Sequence, residues 1–188
     1  MTLLLALLLG AKSATPVTFV GIDYSQALFV GSGDFNDVPQ VTGYYPGEWN
    51  RLWAKEMMED LAKATGPVSQ AIDIVAANNA KVTEAQVVRT DGGDGVVADS
   101  EITPDTLATL VRGYDMKGAE GLALVLVVDR YVKLQETGCT WVVYFDAGTR
   151  DVLAKQRVCE AASGFGFRNY WFRTAKELVN DIKKLKPR

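Results

Sequence analysis

The chain has 188 residues and a net charge of −3, and 48% of its residues are hydrophobic. This length and apolar content suit one domain with its own core, and the slight negative charge lacks the basic stripe of a nucleic-acid-binding protein. Histidine is absent. Its absence excludes Ser-His-Asp and Cys-His catalysis and any zinc site that uses histidine. We therefore expect no nucleic-acid partner and no bound cofactor.

The N-terminal residues 1–14 read MTLLLALLLGAKSA. The apolar run from Leu3 to Leu9 is too short to span a bilayer, and small residues follow it, as in a signal peptide. We interpret residues 1–14 as a signal peptide, although no Lys or Arg precedes the run, and residues 15–188 as one exported domain, periplasmic or secreted. The alternatives are a buried first strand or helix, or a start codon placed too late. No later window is long and apolar enough to be a transmembrane segment.

The next part of the chain predicts a strand followed by a helix. Residues 16–31 are rich in Val, Phe and Ile, which favours one long bent strand, or two strands with a break near residues 23–25. A helix is expected from Pro46 to the breaker set at residues 65–67. Its apolar residues at helical spacing are Trp49, Leu52, Trp53, Met57 and Leu61. At this spacing we interpret the tryptophans as core residues rather than as a carbohydrate platform.

The middle of the chain predicts two helices and a short strand. The Ala-rich residues 68–80 favour a helix, residues 85–89 a strand, and Thr103-Pro104 begins another helix as its N-cap and first residue. The glycine-rich residues 90–101 lie between them and carry Asp91, Asp94, Asp99 and Glu101. Their spacing does not fit an EF-hand, so we interpret this segment as a solvated acidic loop and expect no metal site.

The last third of the chain predicts the centre of the sheet. Residues 121–132 are apolar without alternation, which is typical of a strand covered on both faces. A hairpin of residues 140–145 and 152–159 follows, and a last helix is expected to begin with Asn169 as its cap. Together the elements predict an α/β (α+β) fold, in which helices pack on a mixed, largely antiparallel sheet in a single domain.

The two cysteines, Cys139 and Cys159, stand ten positions on either side of Thr149. If the hairpin folds about Thr149, they face each other across the two strands, and a disulfide is sterically possible. A register shifted by one residue would instead leave two buried thiols on opposite faces. For an exported protein we expect the disulfide.

The segment SGFGFRNYW, residues 163–171, lies between a strand and a helix. Its backbone N–H groups and its polar side chains make it a candidate anion-binding loop. The candidate residues are Gly164, Gly166, Arg168 and Asn169. The alternative is a structural crossover in which Phe165 and Phe167 fill the edge of the core.

Three acidic residues, Asp23, Asp129 and Asp146, stand at predicted strand ends. Two carboxylates across a cleft could hydrolyse a glycosidic bond without histidine. Strand-end acids more often bond to turns and caps, so we treat these three as a candidate acidic site only.

The pattern YFDAGTRDVL followed by SGFGFRNYW resembles the C-terminal half of small exported bacterial proteins. More distantly, it is similar to the envelope α/β domains of the TolB N-terminal and CsgG type, in which a strand ends in an Asp-x-x-Thr-x-x-Val turn. The resemblance covers residues 121–185 and implies a fold and an envelope location, but no catalytic residue.

These observations favour a non-enzymatic binding or assembly module of the periplasm or cell envelope, with a protein or another envelope component as its partner. The alternatives are a histidine-free hydrolase that uses carboxylates and a carrier of a small ligand. A hydrolase predicts acids that converge in a cleft, a carrier an enclosed apolar cavity, and a binding module an exposed apolar patch or sheet edge.

Overall fold

The computed structural model describes residues 16–31, 35–88, 100, 102–185 and 187. The predicted signal peptide and the four carboxylates of the acidic loop lie outside these residues. The strands are β1 Val17–Asp23, β2 Leu28–Val30, β3 Val68–Gln70, β4 Val87–Val88, β5 Leu122–Val132, β6 Thr137–Asp146 and β7 Val152–Ala161. The helices are α1 Tyr45–Glu56, α2 Met58–Thr65, α3 Asp73–Asn79, α4 Pro104–Arg112, α5 Phe167–Glu177 and α6 Val179–Lys184. None of the described helices is both long and apolar enough to cross a bilayer.

The sheet is mostly parallel, so the prediction of a largely antiparallel sheet is wrong. Strands β3, β1, β5, β2 and β4 all pair in parallel, and among the described strands β6 alone runs in the opposite direction, antiparallel to β5 on one side and to β7 on the other. Helices connect β1–β2 to β3, β3 to β4 and β4 to β5. A helical crossover returns the chain in its original direction, whereas a short turn reverses it. The antiparallel hairpin β6–β7 is therefore not representative of the rest of the sheet.

Helices cover both faces of the sheet. Trp49 in α1, Leu61 in α2 and Trp171 in α5 belong to one core cluster, whereas Val75 in α3 and Leu107 in α4 belong to the other. Strand β5 supplies Leu124, Leu126 and Val128 to the first cluster and Ala123, Val125 and Val127 to the second. The lack of alternation in this strand correctly predicted that both of its faces are buried.

Strands β1 and β2 form one interrupted strand along β5, as predicted. Side-chain amides replace the missing ladder bonds at the break: Asn79 accepts a 2.7 Å hydrogen bond from Tyr24 N and donates a 2.9 Å bond to Ile22 O. Gln86 Nε2 donates to the carbonyl oxygens of Tyr24 and Ala27, at 3.1 and 2.8 Å. The buried backbone groups of the break therefore keep hydrogen-bond partners.

Two predicted helices are divided or shortened. The helix before Gly66 ends at Thr65 as predicted, but it is interrupted at Met57 into α1 and α2. The predicted helix over residues 68–80 is wrong in its first part, which forms strand β3 beside β1. Val68 contributes to the first core cluster from this edge position, so pairing with β1 overrides the helix propensity of the segment.

Candidate functional site

Asp23 ends β1 in the buried layer between the sheet and helices α3 and α4. Its carboxylate accepts hydrogen bonds from Tyr114 Oη at 2.8 Å, Asn78 Nδ2 at 3.0 Å and Ser25 N at 2.7 Å. Burial, followed by the negative charge of Asp23, raises the pKa of Tyr114 well above its usual value. The tyrosine therefore stays protonated as a donor, and the contacts of Asp23 are those of a structural carboxylate.

Asp129 lies at the irregularity of β5, where the register with β6 shifts, and its side chain is buried. Arg157 of β7 donates to Asp129 Oδ2 through Nε at 2.8 Å and Nη2 at 2.5 Å, and the adjacent Arg130 approaches the same carboxylate at 3.3 Å. Two guanidinium groups thus compensate this buried charge. Asp129 also borders a cleft of about 300 Å³ that Ser25 and Gln86 line from other elements.

Asp146 lies at the start of the turn between β6 and β7. Its Oδ1 atom accepts hydrogen bonds from Gly148 N at 2.9 Å and Thr149 N at 2.8 Å, the turn contacts expected from the sequence. The residue of this turn in the left-handed region is Arg150, with φ of 64°.

The three acidic candidates do not converge on one cleft. Asp146 pairs with Leu122 at the start of β5, seven residues before Asp129, which is about 23 Å along a strand. Asp23 pairs with Val127 and so lies near Asp129 on the neighbouring strand, but it does not line the cleft that Asp129 borders. The arrangement gives little support to a hydrolase that uses two carboxylates.

The candidate anion-binding loop has its polar side chains engaged with the protein. Arg168 Nη1 contacts Glu48 Oε1 at 3.2 Å, and Arg168 Nε donates to Asn169 Oδ1 at 3.2 Å. Helix α5 begins at Phe167 with Gly166 as its N-cap, three residues earlier than the predicted cap Asn169, which therefore lies inside the helix. Arg168 thus has partners within the protein, and its carboxylate partner Glu48 also pairs with Arg51 at 2.6 Å; anion binding at this loop stays a prediction.

The two phenylalanines of this loop point to different environments. Phe167 packs on Tyr45, with ring centroids 4.7 Å apart, and on Phe35, at 5.6 Å. Phe165 is 97% exposed, so the interpretation that it fills the edge of the core is wrong. Gly164 and Gly166 on either side have φ of 123° and 77°, values that favour glycine. This exposed aromatic side chain is the feature that sequence reasoning missed, and its signal was a phenylalanine between two glycines.

The turn between β5 and β6 lies beside this loop. Ala162 N donates a 2.6 Å hydrogen bond to Glu136 O, and the Lys133 ammonium group lies 4.3 Å from the centre of the Tyr170 ring. Leu134, in the same turn, is 72% exposed. We call the turn 133–136 and the loop 162–166 together the apolar tip.

Cys139 and Cys159 lie directly opposite each other on β6 and β7, and their sulfur atoms are 2.08 Å apart, at bonding distance. Cys139 is fully buried, whereas Cys159 on the outer strand is exposed. The bond would tie the outer strand β7 to the sheet at the end where the apolar tip begins.

A groove of about 470 Å³ lies between α1 and α3. Its volume is in the range of small-molecule sites, and its polar lining residues are Thr42, Asn50, Arg51, Asp73 and Asn79. Asn50 and Asn79 bond to the backbone of Ile22, Arg51 pairs with Glu48, and Asp73 pairs with Lys117, so most of these polar groups already have partners within the protein. Trp49 and Trp53 are buried in the core and do not line this groove, contrary to a carrier with a tryptophan-lined pocket.

Across the described part of the chain, no group of three or more Cys, Asp or Glu side chains could hold a metal ion.

These features describe an α/β protein with a mostly parallel sheet between two helical layers and an apolar tip at one end. No protein-family model matches the chain, and no curated protein matches it in sequence. Among solved structures it is similar to the lipoprotein GNA1162 from Neisseria meningitidis, with a TM-score of 0.34 and 14% sequence identity over 89% of this chain and 95% of the lipoprotein. This likeness is too weak to establish a common fold.

Proposed function

We propose that the chain is an exported, non-enzymatic binding or assembly module of the cell envelope, and that the apolar tip is its contact surface. The single observation that carries this proposal is the exposure of Phe165, which is 97% accessible between two glycines. Exposed apolar clusters in otherwise polar surroundings mark interaction sites.

Two further observations support the proposal. Asp23, Asp129 and Asp146 are all engaged in structural hydrogen bonds and ion pairs, which favours a binding role over carboxylate catalysis. The opposed cysteines suit an oxidising compartment, where such a pair forms a disulfide. Export and envelope location are part of the proposal.

The contact surface is tested by photo-crosslinking in the cells that produce the protein. A photoreactive phenylalanine analogue replaces Phe165, and the matched control carries the same analogue at Leu153, a 40%-exposed residue near the start of β7. Leu153 lies about 27 Å along the strand from the end where the tip begins. We expect protein or lipid adducts from position 165 and none from position 153. Equal labelling at both positions, or none at either, would contradict the proposal.

Export is tested by mass spectrometry of the protein recovered from the periplasm or the medium. We expect a chain shortened near Ser13 or Ala14. Its mass should be lower than that of the reduced form by two hydrogen atoms, because the cysteines are oxidised. An unprocessed chain with two free thiols in the cytoplasm would contradict this part of the proposal.

A further inference from the structure

We infer that the partner of the apolar tip is a membrane surface, into which Phe165 and Leu134 insert shallowly. This inference rests on the proposed function and names the partner of that site. It is carried by the shape of the tip, the amphipathic residues beside it and the small area that it exposes.

The backbone of the loop is built to present Phe165. The flanking residues Gly164 and Gly166 adopt positive φ values that disfavour side chains with a Cβ atom. Phe167, two residues later, turns back to pack on Phe35 and Tyr45. Phe167 therefore packs against the core, whereas Phe165 remains exposed to solvent.

Leu134 projects from the same end of the sheet as Phe165. The hydrogen bond from Ala162 N to Glu136 O joins the two segments where β5 and β7 end and β6 begins. Phe165 and Leu134 are thus apolar side chains on two adjacent loops rather than parts of one flat face. A fluid bilayer can surround such separate projections on all sides.

Amphipathic side chains lie beside the loop that carries Phe165. Tyr170 and Lys133 are both half-buried, border one hollow with Gly164 and Gly166, and place the Lys133 ammonium group over the Tyr170 ring. Tyrosine and lysine place an apolar body in the outer hydrocarbon and a polar end among the headgroups. The residues next to Phe165 are therefore of the types that suit the interface of a bilayer.

The charges around the tip have mixed signs. Arg168 is paired with Glu48, and Lys133 and Glu136 lie in one turn. Apolar insertion rather than attraction to anionic lipid should therefore provide most of the binding, and binding should be only weakly sensitive to salt.

The exposed apolar area is small for a protein partner. A phenylalanine side chain supplies about 150–250 Å², whereas a stable protein interface buries about 800 Å² on each partner. Shallow insertion into a membrane needs no such continuous patch, and each inserted side chain contributes about tenfold to the partition coefficient.

Vesicle flotation tests the inference with the processed protein recovered from the periplasm or the medium. Vesicles of phosphatidylcholine, and separately of phosphatidylcholine mixed with phosphatidylglycerol, are floated with the wild type, Phe165→Ser, Leu134→Ser and the matched control Leu153→Ser. We expect each tip variant to reduce bound protein about tenfold on both vesicle types, and the control to bind like the wild type. Circular dichroism of each variant verifies its fold.

A second measurement reports depth at the tip itself. Phe165→Trp adds an exposed tryptophan, and we expect brominated phosphatidylcholine to quench its added emission, but not that of Leu153→Trp. Equal flotation of all variants, binding confined to anionic vesicles at low salt, or no quenching at position 165 would overturn the inference. A protein adduct from position 165 in the crosslinking experiment, without tip-dependent flotation, would refute the membrane partner while leaving the binding module intact.

Discussion

The hydroxyl group of Tyr114 donates a 2.8 Å hydrogen bond to Asp23 Oδ2, and this contact joins the end of β1 to the residues that follow α4. Both residues are buried. We expect Tyr114→Phe to lower the free energy of unfolding by about 1.5–3 kcal/mol, because a buried carboxylate loses a donor. Urea denaturation measures the change. Tyr44→Phe, at an exposed tyrosine, should alter stability by less than about 0.5 kcal/mol, and an equal effect in both variants would contradict the assignment.

Alkaline pH should destabilise the protein through its buried tyrosines. Burial raises the pKa of Tyr131 and of Tyr144 to about 12, whereas an unfolded tyrosine ionises near pH 10. Below about pH 10 the tyrosines are protonated in both states and the free energy of unfolding does not depend on them. As the pH rises from about 10 towards 12, only the unfolded chain loses these protons, so the free energy of unfolding falls, by about 2–3 kcal/mol for Tyr131. Urea unfolding across this pH range measures how steeply the free energy of unfolding falls with pH.

The matched control for the alkaline effect is Tyr131→Phe, which should give a shallower dependence of stability on pH. Phenolate absorbance followed in parallel should show the buried tyrosines ionising only together with unfolding. Ionisation of all seven tyrosines in a chain that remains folded would be inconsistent with this explanation.

Reduction of the pair Cys139–Cys159 should weaken the fold. The bond closes a loop with a sequence separation of 20, and the chain-entropy relation gives about 3 kcal/mol for a loop of this size. Urea curves with and without a thiol reductant measure the difference. The double variant Cys139→Ala, Cys159→Ala should show no response to reductant, and a wild type equally indifferent to reductant would argue against the bond.

Removal of Arg157 should leave the buried charge of Asp129 undercompensated. Arg157→Met keeps the apolar stem of the side chain but deletes the 2.8 Å contact to Asp129, and we expect a loss of about 3–5 kcal/mol, reduced to the extent that Arg130 compensates. Lys63→Met removes a cation from an exposed pair with Glu59 and should have a much smaller effect, because solvent screens that pair. Similar losses in the two variants would contradict the role of burial.

Gly21 should tolerate no side chain. It has φ of +115°, and a Cβ atom there would lie 2.7 Å from Asn50 Oδ1 and 2.6 Å from Val75 Cγ2. We expect Gly21→Ala to destabilise the protein by about 1–3 kcal/mol through strain and displacement of Asn50. Gly47→Ala, in helix α1 with open space around its position, should stabilise by about 0.5–1 kcal/mol. Thermal unfolding compares the two, and equal effects would refute the packing argument.

Local patterns predicted several elements correctly. The uninterrupted apolar residues of β5 indicated burial on both faces, and Thr103 caps α4, accepting a 3.1 Å hydrogen bond from Thr106 N. The carbonyl and amide contacts of such features lie within a few residues of each other, so composition and spacing suffice to indicate them. The cap of α5 was misplaced because Gly166 takes that position through its positive φ, which no side-chain pattern reveals.

The candidate site was harder to predict because its partners are distant in the chain. Arg168, a candidate for anion binding, pairs with Glu48 from α1, and Asp129 meets Arg157 from β7. Such pairs depend on which strands and helices become neighbours. The exposure of Phe165 likewise depends on Phe167, the next aromatic residue, taking the available contacts in the core.

The sequence by itself determined the hairpin β6–β7 and the burial of β5 on both faces, because these follow from local periodicity and turn chemistry. The structure decided between the two registers of the hairpin and placed Cys139 opposite Cys159. Only the tertiary structure decided that five strands run parallel and that Asp23 and Asp146 lie apart. Helical crossovers fix strand direction, and strand neighbours fix side-chain partners, through contacts between residues far apart in the chain. The same long-range packing leaves Phe165 outside the core, where the proposed contact surface lies.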